Sequence, residues 1–218
     1  MLVVYLDPYF LGDPLFVPGL AQDLAAREGG LVLVHGSGER GERALESLGR
    51  MPTAVDGVWQ TDDAESRETI ERAIRDLNRE IVHELNEAGV SAIRVMGADR
   101  GLLKSPNGAL VAGRTGWLGD LVGQGVVAVV AALVEGAEGP AEVDAAESSG
   151  VLAEALGVPL AVLTTRSVEG GGAVETLAEA FPDPSAAARA VAVPGRARAG
   201  LRVTLRQAEG SSAIVTTG

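Results

Sequence analysis

The segment Gly36–Gly41 carries glycines at its first, third and last positions, and this spacing points to chemistry. Glycine lets backbone N–H groups approach a ligand closely. The segment follows the apolar run Leu31–Val34, and a helix predicted over Glu39–Leu48 directs its positive end at the same place. The pattern predicts an anion site, most often a phosphate site. A tight strand-to-helix turn without a ligand is the alternative.

The elements that must position this segment follow from the apolar pattern. Leu31–Val34 is predicted to be a buried parallel strand, and the helices alternate with further strands. The predicted strands are Leu2–Leu6, Val90–Met96, Val126–Leu133 and Pro159–Thr164. The predicted helices are one that starts at Pro18 and ends at Gly29-Gly30, and those over Asp62–Ala88, Val143–Leu156 and Ser185–Ala192. This order predicts an α/β protein, a three-layer αβα sandwich with a mainly parallel central sheet.

Three local features complete the predicted secondary structure. Asp56-Gly57 is a hairpin turn signal between Val55 and Val58-Trp59. Thr61 or Asp62 is predicted to cap the long helix. Gly136–Pro140 is predicted to be a loop.

Composition excludes several classes of function. The chain has 218 residues, a net charge of −12, no cysteine and two histidines. The negative charge argues against nucleic acid and anionic membranes, and the missing cysteines exclude disulfides and thiolate metal sites. We expect no metal centre built from histidine and cysteine. The N-terminus lacks the basic region of a signal peptide and no apolar run reaches membrane-spanning length, so we expect a cytoplasmic protein.

The glycine segment also matches the dinucleotide-binding fingerprint, with Asp56 near the position of the ribose-binding acid. That fingerprint normally follows the first strand, whereas here a strand and a helix come before it. Asp56 also belongs to a turn signal. The dinucleotide interpretation is therefore the weaker one.

Most of the chain resembles the amino-acid kinase family, and within it the N-acetylglutamate kinases and the kinases of carrier-protein-linked aminoadipate or glutamate. The resemblance rests on Leu33–Gly38, Thr61-Asp62, Asn78–Gly89, Ala92–Gly97 and Leu152–Thr165. It implies one amino-acid-kinase-like domain over residues 1–218. A substrate lobe would cover about 1–135, and a shortened nucleotide lobe about 136–218.

The resemblance also implies roles for individual residues. Family members transfer the γ-phosphoryl group of ATP, with Mg²⁺, mostly to a carboxylate. The implied phosphate and substrate residues are Gly36, Ser37, Gly38, Trp59, Gln60 and Gly97. The implied nucleotide-binding residues are Thr164, Thr165 and Arg166, and the candidate catalytic residues are Asp144 and Arg196.

The sequence departs from the family pattern at the catalytic positions. The Lys-x-Gly-Gly of the first strand falls on Tyr5–Pro8, and Lys104 is the single lysine of the chain. The substrate-carboxylate arginine falls on Trp59, an aromatic residue that favours an apolar or cationic group over a carboxylate. The Asn and Asp of the Asn-x-x-x-Asp signature fall on Glu142 and Ala146.

Two hypotheses follow. The first is a degenerate family member that binds a small amino-acid-like metabolite, or serves as a partner subunit, with little phosphoryl transfer. The second is an active, diverged ATP-dependent kinase of an amino-acid-type carboxylate, in which arginines replace the lysines. Under either hypothesis we expect a homodimer. A partner protein or an amino-group carrier protein is a further candidate, although the net charge of −12 would not attract an acidic carrier.

Overall fold

The structure is a computed structural model and describes residues 1–25, 29–55, 58–158, 160–163 and 190–193. The strands are β1 Val3–Leu6, β2 Val32–His35, β3 Ala54–Val55, β4 Val58–Trp59, β5 Ala92–Met96, β6 Leu103–Lys104, β7 Val111–Ala112, β8 Val127–Ala131, β9 Leu133–Gly136, β10 Gly139–Glu142, β11 Leu160–Leu163 and β12 Ala190–Val193. The α-helices are α1 Pro8–Leu11, α2 Phe16–Ala25, α3 Gly38–Ser47, α4 Ala64–Glu87, α5 Gly116–Gly123 and α6 Ala145–Leu156.

Six strands form one parallel sheet in the order β12-β11-β1-β2-β8-β5. Val3 of β1 lies beside Val32 of β2 and Leu160 of β11, and His35 of β2 lies beside Ala131 of β8. The predicted strand at Leu31–Val34 is confirmed as an interior parallel strand, and all four of its residues are buried. The glycine segment therefore begins at the carboxyl end of an interior strand, where open α/β sheets place their ligands.

Successive strand residues point to opposite faces of the sheet and build two apolar layers. On one face, Leu33 and Val129 belong to a core cluster with Leu77 and Ile81 of α4. On the other face, Val34 of β2 belongs to a cluster that includes residues of α5 and α6. Both faces of the parallel sheet are covered, which confirms the three-layer α/β architecture.

The N-cap of the long helix α4 lies one residue after Asp62, the later of its two predicted caps. Asp63 is the N-cap: its carboxylate accepts from the Ser66 backbone N–H at 2.8 Å and from the Ser66 hydroxyl at 2.9 Å. The prediction of Thr61 or Asp62 was therefore wrong. Polar residues crowd this helix start, and the sequence does not show which of them adopts the extended backbone of a cap.

The predicted loop at Gly136–Pro140 is confirmed only at residues 137–138, because its flanking residues belong to strands β9 and β10. β9 and β10 form an antiparallel hairpin, with Glu135 beside Pro140 and Leu133 beside Glu142. This hairpin brings Glu142 to the end of its second strand, next to the start of α6. The short hairpin of β3 and β4 confirms the predicted pairing of Val55 with Val58, while its turn at 56–57 lies outside the described residues.

Two other elements differ from prediction. Helix α5 had no predicted counterpart. Residues 190–193 form β12, parallel to β11, instead of the predicted end of a helix at Ser185–Ala192. No helix among the described residues has both the length and the apolar character needed to cross a bilayer.

Candidate functional site

The glycine segment forms the turn between β2 and α3, and His35 to Gly38 are all buried. Gly38 has a φ of +56°, a backbone conformation that glycine adopts without steric cost. A Cβ on Gly36 would lie 2.8 Å from Oε1 of Glu142, so a larger residue at this position would require the Glu142 carboxylate to move. The turn therefore has the tight backbone predicted for it, and its close neighbour is another part of the chain.

That neighbouring part of the chain is Glu142, the last residue of β10. Its Oε1 accepts a hydrogen bond from the Ser37 backbone N–H at 2.5 Å, and its Oε2 accepts one from the Ser37 hydroxyl at 2.8 Å. These are charge-assisted contacts of the kind that a bound anion would make with the turn. A carboxylate of the protein itself therefore occupies these donors of the turn, and binding of a phosphate there stays a prediction.

The environment of Glu142 disfavours its charge. The residue keeps some exposed surface, but protein atoms crowd its carboxylate, and this desolvation raises its pKa from 4.5 to about 7. The two hydrogen bonds from Ser37 lower the pKa, and the negative charge of Asp144 raises it further. Desolvation is the largest effect, so Glu142 changes its charge near neutral pH.

Two buried residues, His35 and Asn78, form hydrogen bonds next to the turn. His35 lies 2.9 Å by its Nδ1 from the Gly36 carbonyl oxygen and 2.9 Å by its Nε2 from Nδ2 of Asn78. The same Asn78 amide donates to the Val129 carbonyl at 2.9 Å. Burial lowers the pKa of His35 to about 4, so the ring is neutral. Nδ1 then carries the proton donated to Gly36, and Nε2 accepts from Asn78.

Trp59 covers the first turn of α3. Its indole Nε1 donates to the Gly38 carbonyl at 3.1 Å. A Cβ on Gly41 would lie 2.8 Å from Cδ1 of the indole, so the third glycine of the segment makes room for Trp59. The predicted proximity of Trp59 to the glycine turn is present in the structure.

A small cavity of about 40 Å³ adjoins Glu142 and Trp59, between α4 and the β9–β10 hairpin. Its lining residues are Trp59, Thr61, Arg67, Ile70, Glu71, Pro140, Ala141 and Glu142. Two of its charged residues have partners: Arg67 pairs with Glu138 at 2.7 Å, and Glu71 pairs with Arg75 at 2.8 Å. The turn, Trp59 and this cavity form the candidate site.

The other sequence-predicted residues lie elsewhere. Gln60 is exposed, and its side-chain amide donates to the Val58 carbonyl at 3.2 Å. Gly97 follows β5, where a Cβ would lie 2.7 Å from the Leu133 carbonyl oxygen, so backbone surrounds it. Neither residue lines the cavity beside Trp59.

Asp144 is the N-cap of α6. Its Oδ1 accepts from the backbone N–H groups of Ala146 at 2.7 Å and Glu147 at 3.3 Å. Within the ranges that the structure describes, no group of three or more acidic, histidine or cysteine side chains is placed to hold a metal ion. A catalytic role for Asp144 stays a prediction. The remaining predicted site residues, Thr164, Thr165, Arg166 and Arg196, lie outside the described residues.

Sequence reasoning missed three residues of this site. Glu142 was identified only as the position of the family asparagine, and a glutamate at that position was the one available signal. His35 and Asn78 stood in segments that carry the resemblance, but their contact joins residues 43 positions apart.

Comparison with known proteins finds acetylglutamate kinases among the sequence relatives of this chain. The chain is 34% identical over 175 residues to an acetylglutamate kinase of Roseiflexus sp. strain RS-1, covering 75% of this chain and 67% of the relative. It is 34% identical over 158 residues to an acetylglutamate kinase of Thermus thermophilus, covering 69% of this chain and 62% of the relative. No family model matches the chain.

Solved structures share the fold. An N-acetylglutamate synthase from Neisseria gonorrhoeae, complexed with coenzyme A and L-arginine, matches with a TM-score of 0.71 at 18% identity. That match covers 99% of this chain and 60% of the synthase chain. Isopentenyl phosphate kinase from T. acidophilum matches with a TM-score of 0.62 at 13% identity, covering 100% and 98%. By its sequence relatives and its fold, the chain belongs to the amino-acid kinase family.

Proposed function

We propose that this chain is a ligand-binding member of the amino-acid kinase family that has lost most or all phosphoryl transfer. It would bind a small amino-acid-like metabolite in the cavity beside Trp59 and Glu142. The contact of the Glu142 carboxylate with Ser37 carries this proposal.

That contact consumes the donors that a phosphoryl group would need. Both the backbone N–H and the hydroxyl of Ser37 point to Glu142, so a phosphate at the turn would have to displace a carboxylate. Ionised Glu142 would also repel the phosphate. Losing one donor that stabilises a transition state costs roughly a hundred- to a thousandfold in rate, and here one residue both removes donors and adds repulsion.

The cations that neutralise a transferring phosphoryl group are also scarce. Lys104, the single lysine, lies on the β6–β7 hairpin, with its Cε 3.1 Å from where a Cβ would stand on Gly101 and 3.2 Å from the equivalent point on Gly113. Its aliphatic chain packs along this hairpin. Among the described residues, Arg67 is the one cation that lines the cavity, and it pairs with Glu138.

The second candidate is an active, diverged kinase that uses ATP and Mg²⁺ on an amino-acid-type carboxylate. The 34% identity to acetylglutamate kinases favours it. Arginines would then supply the positive charge that the family draws from lysines. The predicted nucleotide-binding residues and Arg196 would have to complete that site.

A calorimetric titration with Mg-ATP, followed by an ADP-release assay over a panel of acylated and free amino acids, separates the two candidates. The first predicts binding of an amino-acid-type ligand without ADP release above background. Clear, ligand-dependent ADP release would refute it. Failure to bind ATP at millimolar concentration would refute the kinase.

The assembly of the chain is a separate proposal. We propose a homodimer formed through α4 and β5, because β5 ends the described six-stranded sheet and an open cleft of about 550 Å³ runs between these two elements. A partner subunit or a carrier protein would be the alternative occupant of this surface. Sedimentation velocity distinguishes a dimer from a monomer.

A further inference from the structure

The charges around the cavity do not balance. Arg67 faces Glu138 at 2.7 Å, and Glu71 faces Arg75 at 2.8 Å, so each of these two residues has its own counter-ion. Glu142 has hydrogen-bond donors from Ser37, and the structure gives it no cationic partner among the described residues. Within the part of the chain that the structure describes, the carboxylate of Glu142 is therefore a negative charge at the cavity wall without a counter-ion.

Glu142 also keeps the capacity to bind a ligand. A carboxylate has about four lone-pair positions, and the two hydrogen bonds from Ser37 use two of them. The remaining positions can accept hydrogen bonds from a donor in the cavity that Glu142 lines. A cationic donor is favoured there, because it would supply the counter-ion that the described residues do not.

The volume of the cavity and the Trp59 side chain in its lining indicate which kind of cation it would bind. A water-sized group needs roughly 10–15 Å³ of such a cavity, so the volume of about 40 Å³ is enough for a compact cationic head group such as an ammonium. Trp59 forms the wall beside Glu142. An indole attracts ammonium groups through the electrons of its ring.

We infer that this cavity binds the positively charged amino group of an amino-acid-type ligand, with the Glu142 carboxylate as its counter-ion and Trp59 beside it. The inference rests on the proposed function and names the ligand class of that site. The ligand has a free amino group, because acylation would remove the charge that Glu142 complements. N-acylated amino acids are therefore excluded.

Matched ligand pairs test this inference. The protein is titrated calorimetrically with each common amino acid and with its Nα-acetyl derivative, at pH 8. At least one free amino acid should bind, and its acetylated counterpart should bind at least about tenfold more weakly, since charge-assisted hydrogen bonds are roughly twice as strong as neutral ones. An acetylated form that binds equally well or better, or a set in which no free amino acid binds, overturns the inference.

Variants assign the effect to Glu142. Glu142→Gln keeps an amide oxygen for the Ser37 N–H but removes the charge, so it should weaken the free amino acid about tenfold and leave any weak binding of the acetylated form unchanged. Glu135→Gln, an exposed carboxylate on β9, is the matched control and should bind like the natural protein. Equal loss of binding in both variants would overturn the role of Glu142.

The same preparation also separates this inference from the proposed function. Ligand-dependent ADP release would refute the proposed loss of phosphoryl transfer, whichever form of the ligand binds. Preference for the acetylated form, without ADP release, would refute only the inferred ligand class. The two failures therefore give different results.

Discussion

Replacing Glu142 by glutamine is expected to change how the stability of the protein depends on pH. The natural residue holds an ionisable carboxyl group in a crowded position against Ser37. Glutamine has the same shape: its amide oxygen accepts from the Ser37 N–H and its NH₂ donates to the Ser37 hydroxyl. The variant therefore removes the titration of residue 142 and keeps both contacts.

The size of the effect follows from the raised pKa. In the folded protein the pKa of Glu142 rises from 4.5 to about 7. One pKa unit corresponds to about 1.36 kcal/mol, so ionisation costs the folded state at most about 3 kcal/mol. Because the folded pKa lies above the unfolded one, the contribution of Glu142 is fully present below pH 4.5 and is lost as the pH rises through 7.

His35 acts in the opposite direction. Burial lowers its pKa from 6.5 to about 4, so its contribution to stability is present above pH 6.5 and is lost as the pH falls through 4. The two groups largely cancel in the natural protein between these values. The difference in unfolding free energy between Glu142→Gln and the natural protein removes the His35 contribution and isolates Glu142.

The assay is urea unfolding of both proteins, followed by circular dichroism, at several pH values between 4 and 8. We expect the variant to gain up to about 3 kcal/mol relative to the natural protein as the pH rises across this range. Glu135→Gln, which alters an exposed carboxylate on β9, should show no such trend. A difference that stays constant with pH in Glu142→Gln would refute the proposed burial of this carboxylate.

Three further predictions concern the supports of the site. Asp63→Ala should lower the unfolding free energy by about 1 kcal/mol through loss of the α4 cap, whereas Asp62→Ala should change it little, as measured by urea unfolding. Asn78→Leu should destabilise the protein by about 1–3 kcal/mol, because it leaves the buried Nε2 of His35 without its donor, and a thermal melt that matches the natural protein would contradict this. Trp59→Arg should shift ligand preference towards carboxylates in calorimetric titrations, and an unchanged preference would argue that Trp59 does not line the binding site.

The parallel sheet and the turn were predictable because their signals are local. Leu31–Val34 is an uninterrupted apolar run beside a glycine segment, and such a run has few structural outcomes other than a buried strand. The apolar spacing of α4 likewise predicts a long amphipathic helix and leaves only its first residue uncertain by one or two positions. The position of Trp59 near the turn was predictable because the hairpin signal and the family resemblance both indicated it.

The contact of the Glu142 carboxylate with this turn was not predictable from local sequence signals. Ser37 and Glu142 are 105 residues apart, and the contact depends on a β9–β10 hairpin whose turn residues read as an ordinary loop. The role of Asp144 illustrates the same difficulty, because an acidic residue before a helix serves equally well as a cap or as a catalytic group. Sequence pattern identifies such residues as polar and near an element's end, and only the fold shows what they contact.

The contact between Glu142 and Ser37 is the central claim of this account, and a nuclear magnetic resonance titration of the Ser37 backbone amide tests it most directly. The amide proton should lie downfield and shift with a midpoint near pH 7, because it donates to a carboxylate whose pKa is about 7. In Glu142→Gln the same resonance should not titrate. A Ser37 amide that shows no titration in the natural protein, or that titrates identically in the variant, would contradict the claim that Glu142 occupies the glycine turn.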